Sequence, residues 1–229
     1  MLKTVVVCGT SRGIGRALVS VLSKVAEIRV VALSRNIEAI QREYAKATNV
    51  DCFAYDLEKD ATEQLNQILP SLGPIHALIN NAGHLEKGLL QELSIEAYRR
   101  CLQVNFLGPV ALIQALHSKL SEGKAHVVNI STMGAFQGSA KFPGLSAYAA
   151  SKAAITNFTE VFAEEQKATG IRMNCLCLGA VNTEMLREAF PGYEALTSSE
   201  EMAKYIAEFT LNSGNLFNGK IIPVSMSTP

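Results

Sequence analysis

The 229-residue sequence has no excess charge of either sign, because 21 basic side chains are balanced by 21 acidic ones. A neutral chain carries no electrostatic footprint for a polyanion or an anionic bilayer, so neither nucleic acid nor membrane is an expected partner. Long hydrophobic runs are missing as well: nothing reaches the ~20 apolar residues of a bilayer-spanning helix. A cysteine framework is also lacking. The five cysteines (Cys8, Cys52, Cys101, Cys175, Cys177) are odd in number and irregularly spaced. The N-terminal Met1-Leu-Lys-Thr4 leads into an apolar strand instead of a signal peptide, which with the cysteines implies a reducing, cytoplasmic setting. Cys175 and Cys177 are expected on opposite faces of a strand, and His76, His84, His117 and His126 lack ligand spacing, so no metal site is expected. No linker, internal repeat or low-complexity tract divides the chain, and residues 1–229 read as one domain.

What is present is alternation. Short β-branched runs at 4–8, 28–33, 51–55, 75–79, 125–130, 171–177 and 220–224 make seven strands. Between them, apolar residues at three-and-four spacing make helices over 13–24, 36–47, 60–69, 94–120, 147–168 and 199–212. Strand then helix, repeated, predicts an α/β fold: a doubly wound parallel sheet with helices on both faces. Ser198-Ser-Glu-Glu201 reads as a capping box opening the last helix, and Gly108-Pro109 should disturb the hydrogen-bond ladder of the fourth.

Directly after the first strand stands Gly9-Thr-Ser-Arg-Gly-Ile-Gly15. Glycine lets the backbone turn tightly and approach a diphosphate, while the unpaired amides of the following helix supply attraction. Gly9, Ser11, Arg12, Gly13, Ile14 and Gly15 are therefore candidates for a dinucleotide's phosphates. An acidic residue at the end of the second strand would serve a free ribose 2′-hydroxyl. Here Ser34 and Arg35 take its place, and Arg35 with Arg12 suits a 2′-phosphate. NADP(H) is thus favoured over NAD(H).

In Ser146-Ala-Tyr-Ala-Ala-Ser-Lys152, Tyr148 and Lys152 are four apart, on one face of a helix. A phenol ordinarily titrates near ~10, and an adjacent cation favours its anionic form, so Tyr148 is expected to be lowered toward the working range of an acid–base group. Asn105, a poor helix former among apolar neighbours, must find partners if buried. His84 reads as a structural histidine in preference to one facing the substrate.

Gly9-x-x-x-Gly13-x-Gly15, Asn80-Asn-Ala-Gly83, Asn105 and Tyr148-x-x-x-Lys152 resemble, in order and over nearly the whole chain, the motifs of the classical short-chain dehydrogenase/reductases. The resemblance implies a single-domain Rossmann fold with strand order 3-2-1-4-5-6-7. It implies that Asp56, in Tyr55-Asp-Leu57, contacts the adenine beside Leu57, and that Asn80, Ala82 and Gly83 shape the cofactor wall. It further implies that Lys152 binds the nicotinamide ribose and polarises Tyr148, the proton-transferring group, and that Asn105 holds a water in a relay behind the lysine. Gly179, Val181 and Thr183 fall in a segment similar to one that guides the nicotinamide. A homodimer or homotetramer through the fourth and fifth helices is implied too.

The pattern departs from the family in places. Alignment on Asn129-Ile130 puts Thr132 at the catalytic serine position, with Ser131, just before it, as the other candidate. The interval from Thr132 to Tyr148 is about three residues longer than usual, the extra length falling in 134–144, and Leu178 stands where proline is customary. The following loop, 184–197, is short and implies an open or shallow pocket. The reading is an NADP(H)-dependent enzyme acting on a small-molecule carbonyl or alcohol, a pterin or 3-oxoacyl thioester being narrower options. The alternative is an NADP(H)-binding redox sensor or scaffold with little turnover.

Overall fold

Valine at three consecutive positions gives the first strand its place at the centre of the sheet, since a parallel strand covered on both faces needs apolar side chains pointing both ways. The computed structural model describes residues 2–66 and 68–226. In chain order its strands are β1 (Lys3–Cys8), β2 (Ile28–Ser34), β3 (Val50–Ala54), β4 (Ile75–Asn80), β5 (His126–Thr132), β6 (Arg172–Leu178), β7 (Val181–Asn182), β8 (Thr197–Ser198) and β9 (Ile221–Val224). The helices are α1 (Gly13–Leu22), α2 (Glu38–Glu43), α3 (Ala61–Leu65), α4 (Ile95–Leu102), α5 (Gly108–Glu122), α6 (Ser146–Glu165), α7 (Glu184–Ala189) and α8 (Ser199–Asn212). Seven strands form one parallel sheet in the order β3-β2-β1-β4-β5-β6-β9. That is the expected order, with β9 as the seventh strand; β7 and β8 are a separate two-residue pair.

Alternation along β1 divides the core. Val5 and Val7 pack with Leu18 and Leu22 of α1 and Ile206 and Phe209 of α8. Val6 faces the other way, onto Leu112, Leu116 and Leu120 of α5 and Phe162 of α6. The sheet's strand ends thus hold α1 and α6 on opposite faces of one crevice, the position at which open α/β sheets bind ligands.

The helix expected over 94–120 is broken into α4, a π turn at Gln103–Leu107, and α5. Gly108 N–H donates to Gln103 O, five residues back, and Pro109 has no N–H to give. A side chain at 108 would also strike Leu57, whose Cβ is 2.6 Å from the Cβ position. The expected helices at 36–47 and 60–69 are shorter, as α2 and α3; residue 67 lies outside the described residues. Pro70 sits in a 3-10 turn, Leu69–Ser71, where the chain leaves the helix. Ser198 and Glu201 do form the capping box of α8. No helix among the described residues is long and apolar enough to cross a membrane.

His126 joins the sheet to α8. Its Nδ1 lies 2.9 Å from Thr210 O and its Nε2 2.9 Å from Asn174 Nδ2. A neutral ring donating at Nδ1 and accepting at Nε2 satisfies both bonds; protonation would turn the second acceptor into a donor. Burial accordingly holds His126 below the ordinary histidine range. A lowered value means that the unfolded chain takes up protons first, so this stabilisation is complete above about pH 6.5 and is lost as pH falls below it. We expect Tm to fall from pH 7 to pH 5, and to fall less steeply in His126→Asn. His76 shifts in the same direction, so some slope remains; equal slopes in the two proteins would refute the role of His126.

Candidate active site

The glycine turn is folded tightly against the end of β4. Gly9, at φ +92, has Ala82 backbone 2.5 Å from where a Cβ would be, and a Cβ at Gly15 would lie 1.8 Å from Gly9 O. Asn81 Nδ2 donates to Gly9 O at 2.7 Å. Behind this turn α1 begins with no side-chain cap from Arg12 and no acidic residue in its first turn, so its N-terminal amides remain available for an anion. Gly9, Ser11, Arg12, Gly13 and Ile14 all line one cavity of about 560 Å³.

That cavity continues across the strand ends. Ser34 and Arg35 border it after β2, and Asp56 and Leu57 after β3. Arg35 Nη1 is 3.4 Å from Glu58 Oε2, while Arg100 holds the other oxygen of Glu58 at 3.3 Å. Arg12 makes a bidentate pair with Glu188 of α7. Ala82 and Gly83 form wall at the end of β4, and Gly179, Val181 and Thr183 do so beyond β6. Three candidates are not on the wall: Gly15, packed under Gly9, and the buried Asn80 and Asn105. Asn80 Nδ2 instead bridges to Asn129 Oδ1 at 2.8 Å, tying β4 to β5.

Tyr148 and Lys152 enter the same cavity from α6. Lys152 is 4% exposed, and its ammonium donates to Ile130 O at 2.9 Å and Ala82 O at 3.3 Å. Burial brings it down to about 8. The same burial pushes the Tyr148 phenol up to about 12, which corrects the expected lowering: the ammonium's hydrogen bonds go to two carbonyls, and loss of water outweighs its attraction. Asn105 Oδ1 accepts from His84 N and its Nδ2 donates to His84 O and to Ser151 Oγ, each at 2.8 Å. His84 is therefore held by its backbone, with its ring on Glu86 at 2.8 Å.

Ser131 and Thr132 are successive at the end of β5, and both line the cavity. Ser131 Oγ donates to Lys152 O at 3.1 Å and is 3% exposed. Thr132 Oγ1 accepts from Gly134 N at 3.3 Å and is less deeply buried. Cys175 and Cys177 are another correction: two residues apart in β6, they share a face, as free thiols close enough to interact. The neighbouring Cys175 holds the Cys177 thiol below its ordinary range. Among the described residues no three His, Cys, Asp or Glu side chains cluster as a metal-holding group.

The substrate loop read from the sequence supplies Met185, Leu186, Phe190 and Tyr193 to the cavity lining, whereas Leu85, Met133 and Phe142, also on the wall, carried no signal. The long loop after β5 is tied by Lys141 Nζ, which donates to Phe136 O at 2.6 Å and Ser139 Oγ at 2.7 Å. Over the site lies α7, capped by Thr183 and pinned by Lys87, whose Nζ donates to Ala189 O at 2.7 Å and sits 4.2 Å above the Phe190 ring. Apolar residues in 184–193 signalled a substrate loop, but nothing local signalled the ionic ties.

A glycine-turn berth for a dinucleotide, opening on a Tyr/Lys pair, defines the class of protein. The family profile described as short chain dehydrogenase matches residues 3–194, and the chain belongs to that family of oxidoreductases. Relatives include an acetoacetyl-CoA reductase of Shinella zoogloeoides, 28% identical over 190 residues, covering 82% of this chain and 77% of that protein. Dehydrogenase/reductase SDR family member 7B of Mus musculus is 30% identical over 219 residues, covering 89% and 67%. Among solved structures, ElxO with NADP bound superposes with a TM-score of 0.85 at 24% identity, covering 98% of each chain. A 3-ketoacyl-(acyl-carrier-protein) reductase from Brucella melitensis complexed with NADH gives 0.86 at 20% identity, covering 97% and 96%.

Proposed function

We propose that the chain is an NADP(H)-dependent oxidoreductase interconverting a carbonyl and an alcohol, with Tyr148 as the proton-transferring group. The observation that carries this is the convergence of Tyr148, Lys152 and Thr132 on the cavity whose other end is the uncapped glycine turn. The residues suit a dinucleotide: Gly15, packed beneath Gly9 with no room for a side chain, keeps the turn tight, and Gly9 on the wall presents bare backbone to the ligand. When bound, the nicotinamide supplies or accepts the hydride. Tyr148 gives its proton to the substrate oxygen as negative charge develops there, and takes it back in the reverse direction. Thr132 and Ser131 both line the cavity, but Ser131 Oγ is committed to the backbone of α6 at Lys152 O, which leaves Thr132 to orient that oxygen. Lys152 positions the ribose and favours the phenolate form of Tyr148. Gly83 brings Lys152 and Asn105 together: its Cβ position is 3.5 Å from Lys152 Nζ and 3.6 Å from Asn105 Oδ1, which supports a relay through Asn105 that resupplies the proton.

Arg35 and Arg12 support the 2′-phosphorylated cofactor, and two relatives of this chain are reductases by name. We propose also that two or four copies associate through α4, α5 and α6, where Leu102, Leu107 and Val161 are apolar yet exposed. The test is a fluorescence titration with NADPH and NADH followed by a panel of ketones, aldehydes, quinones and 3-oxoacyl thioesters. A charge-assisted bond contributes about 1.5–3 kcal/mol, so Arg35→Ala should weaken NADPH binding by roughly 10- to 100-fold and NADH binding little. An equal loss for both cofactors would contradict the assignment of Arg35. Cofactor binding without turnover anywhere in the panel would favour a sensor or scaffold.

A further inference from the structure

The two ends of α7 each carry a carboxylate, and both carboxylates are directed at the glycine turn. Glu188 takes Arg12 in a two-pronged contact, Nη2 to Oε2 at 3.2 Å, although both side chains are more than half exposed or close to it, at 61% and 50%. Glu184 Oε2 lies 3.5 Å from the Cβ position of Gly13, the first residue of α1. Its charge adds to that of Glu188 in holding Arg12 in its cationic form. The remaining charged residue of α7, Arg187, is turned away onto Asn182 Oδ1 at 2.7 Å.

A carboxylate and a phosphate are both oxyanions, and they make the same bidentate match to a guanidinium. The positive end of a helix attracts either one. These are the same two features, Arg12 and the start of α1, that the glycine turn offers to a dinucleotide. We infer that Glu184 and Glu188 are an internal substitute for the cofactor's phosphates, so that α7 and the dinucleotide compete for the glycine turn. This rests on the reading of that turn given above. Because α7 also roofs the apolar end of the cavity through Met185, Leu186 and Phe190, loading the dinucleotide releases the roof on its phosphate side. The Lys87 tie to Ala189 and Phe190 remains as the hinge side.

The test uses the full chain, with Glu188→Gln and Glu184→Gln, both at positions where amide replacement keeps the shape. Dissociation constants for NADPH and NADH are read by nicotinamide fluorescence, and hydrogen exchange is followed across residues 184–190 with and without 2′,5′-ADP. An exposed ion pair is weak, so Glu188→Gln should tighten NADPH about three- to fivefold while NADH stays within about twofold. Glu184→Gln should tighten both. In the unaltered protein, 2′,5′-ADP should speed exchange across 184–190, and Glu188→Gln should already exchange faster without it. Unchanged or weaker NADPH binding in both variants, or slower exchange on adding 2′,5′-ADP, would overturn the inference while leaving the proposed function intact. An unaltered chain that binds neither cofactor would overturn that function itself.

Discussion

Tyr148→Phe is expected to lower kcat for carbonyl reduction by about a thousandfold while the Kd for NADPH changes less than threefold. The ring fills the same space in the cavity wall, so the berth is conserved and only the transferable proton is removed. A positioned general acid contributes roughly 10²–10⁴ in rate, and here loss of water around a partly buried side chain pushes the phenol up to about 12. At neutral pH the isolated protein therefore holds Tyr148 protonated, ready to donate in the reductive direction. Lys152, brought down to about 8, adds a pH dependence: above that value the ammonium loses its proton and its support for the phenolate. Reduction should consequently decline on the alkaline side, and oxidation of an alcohol should require the phenolate that the charged lysine favours. Turnover by Tyr148→Phe within tenfold of the unaltered enzyme would remove the tyrosine from the mechanism.

Gly15→Ala should cost about 2–3 kcal/mol of stability and lower NADPH affinity by about a hundredfold. Two effects oppose each other at this position. Alanine gains about 1 kcal/mol over glycine in a helix interior, and Gly15 lies in α1. Against that, the new Cβ would lie 1.8 Å from Gly9 O and 2.5 Å from Asn81 Nδ2. The nearest contact is backbone, which no rotamer change relieves; overpacking typically costs ~1–3 kcal/mol and occasionally more, and an approach of 1.8 Å to backbone puts this one at about 3–4 kcal/mol. The clash wins, and it is relieved only by moving the turn whose amides are proposed to hold phosphate. For a chain of this length the loss corresponds to a fall in Tm of about 4–10 °C. Gly73→Ala is the control, since nothing lies within 4 Å of its Cβ position. Equal Tm and equal NADPH affinity in the two variants would show that the close approach is not required.

The sheet was legible because its signal is local and repeated: runs such as Val5 to Val7 point both ways into core, and each is followed by a helical stretch. The wall of the cavity was legible for a similar reason, since strand ends place their next residues together whatever the loops do. Short elements were not. The two-residue β7 and β8 carry no period, and α2 and α3 end sooner than their apolar spacing suggests. The direction of the Tyr148 shift was misjudged because spacing reveals which charge is a neighbour but not how much water is excluded. Cys175 and Cys177 share a face because the strand period puts i and i+2 on the same side. The contacts of α7 with Arg12 and Lys87 span 176 and 102 residues of sequence, and no local pattern announces a partner so remote.

Thr132 closes β5 and Tyr148 sits in the first turn of α6, so the lengthened loop between them begins and ends on rigid supports. Its interior, from Phe136 to Gly144, is knotted on itself by Ser139 and Lys141. Insertions there alter the mouth of the cavity without displacing Thr132 or Tyr148. Selection can thus retune which molecules are admitted while the reactive geometry is inherited unchanged, and grafted loops at these two junctions offer a route to new specificities on the same framework.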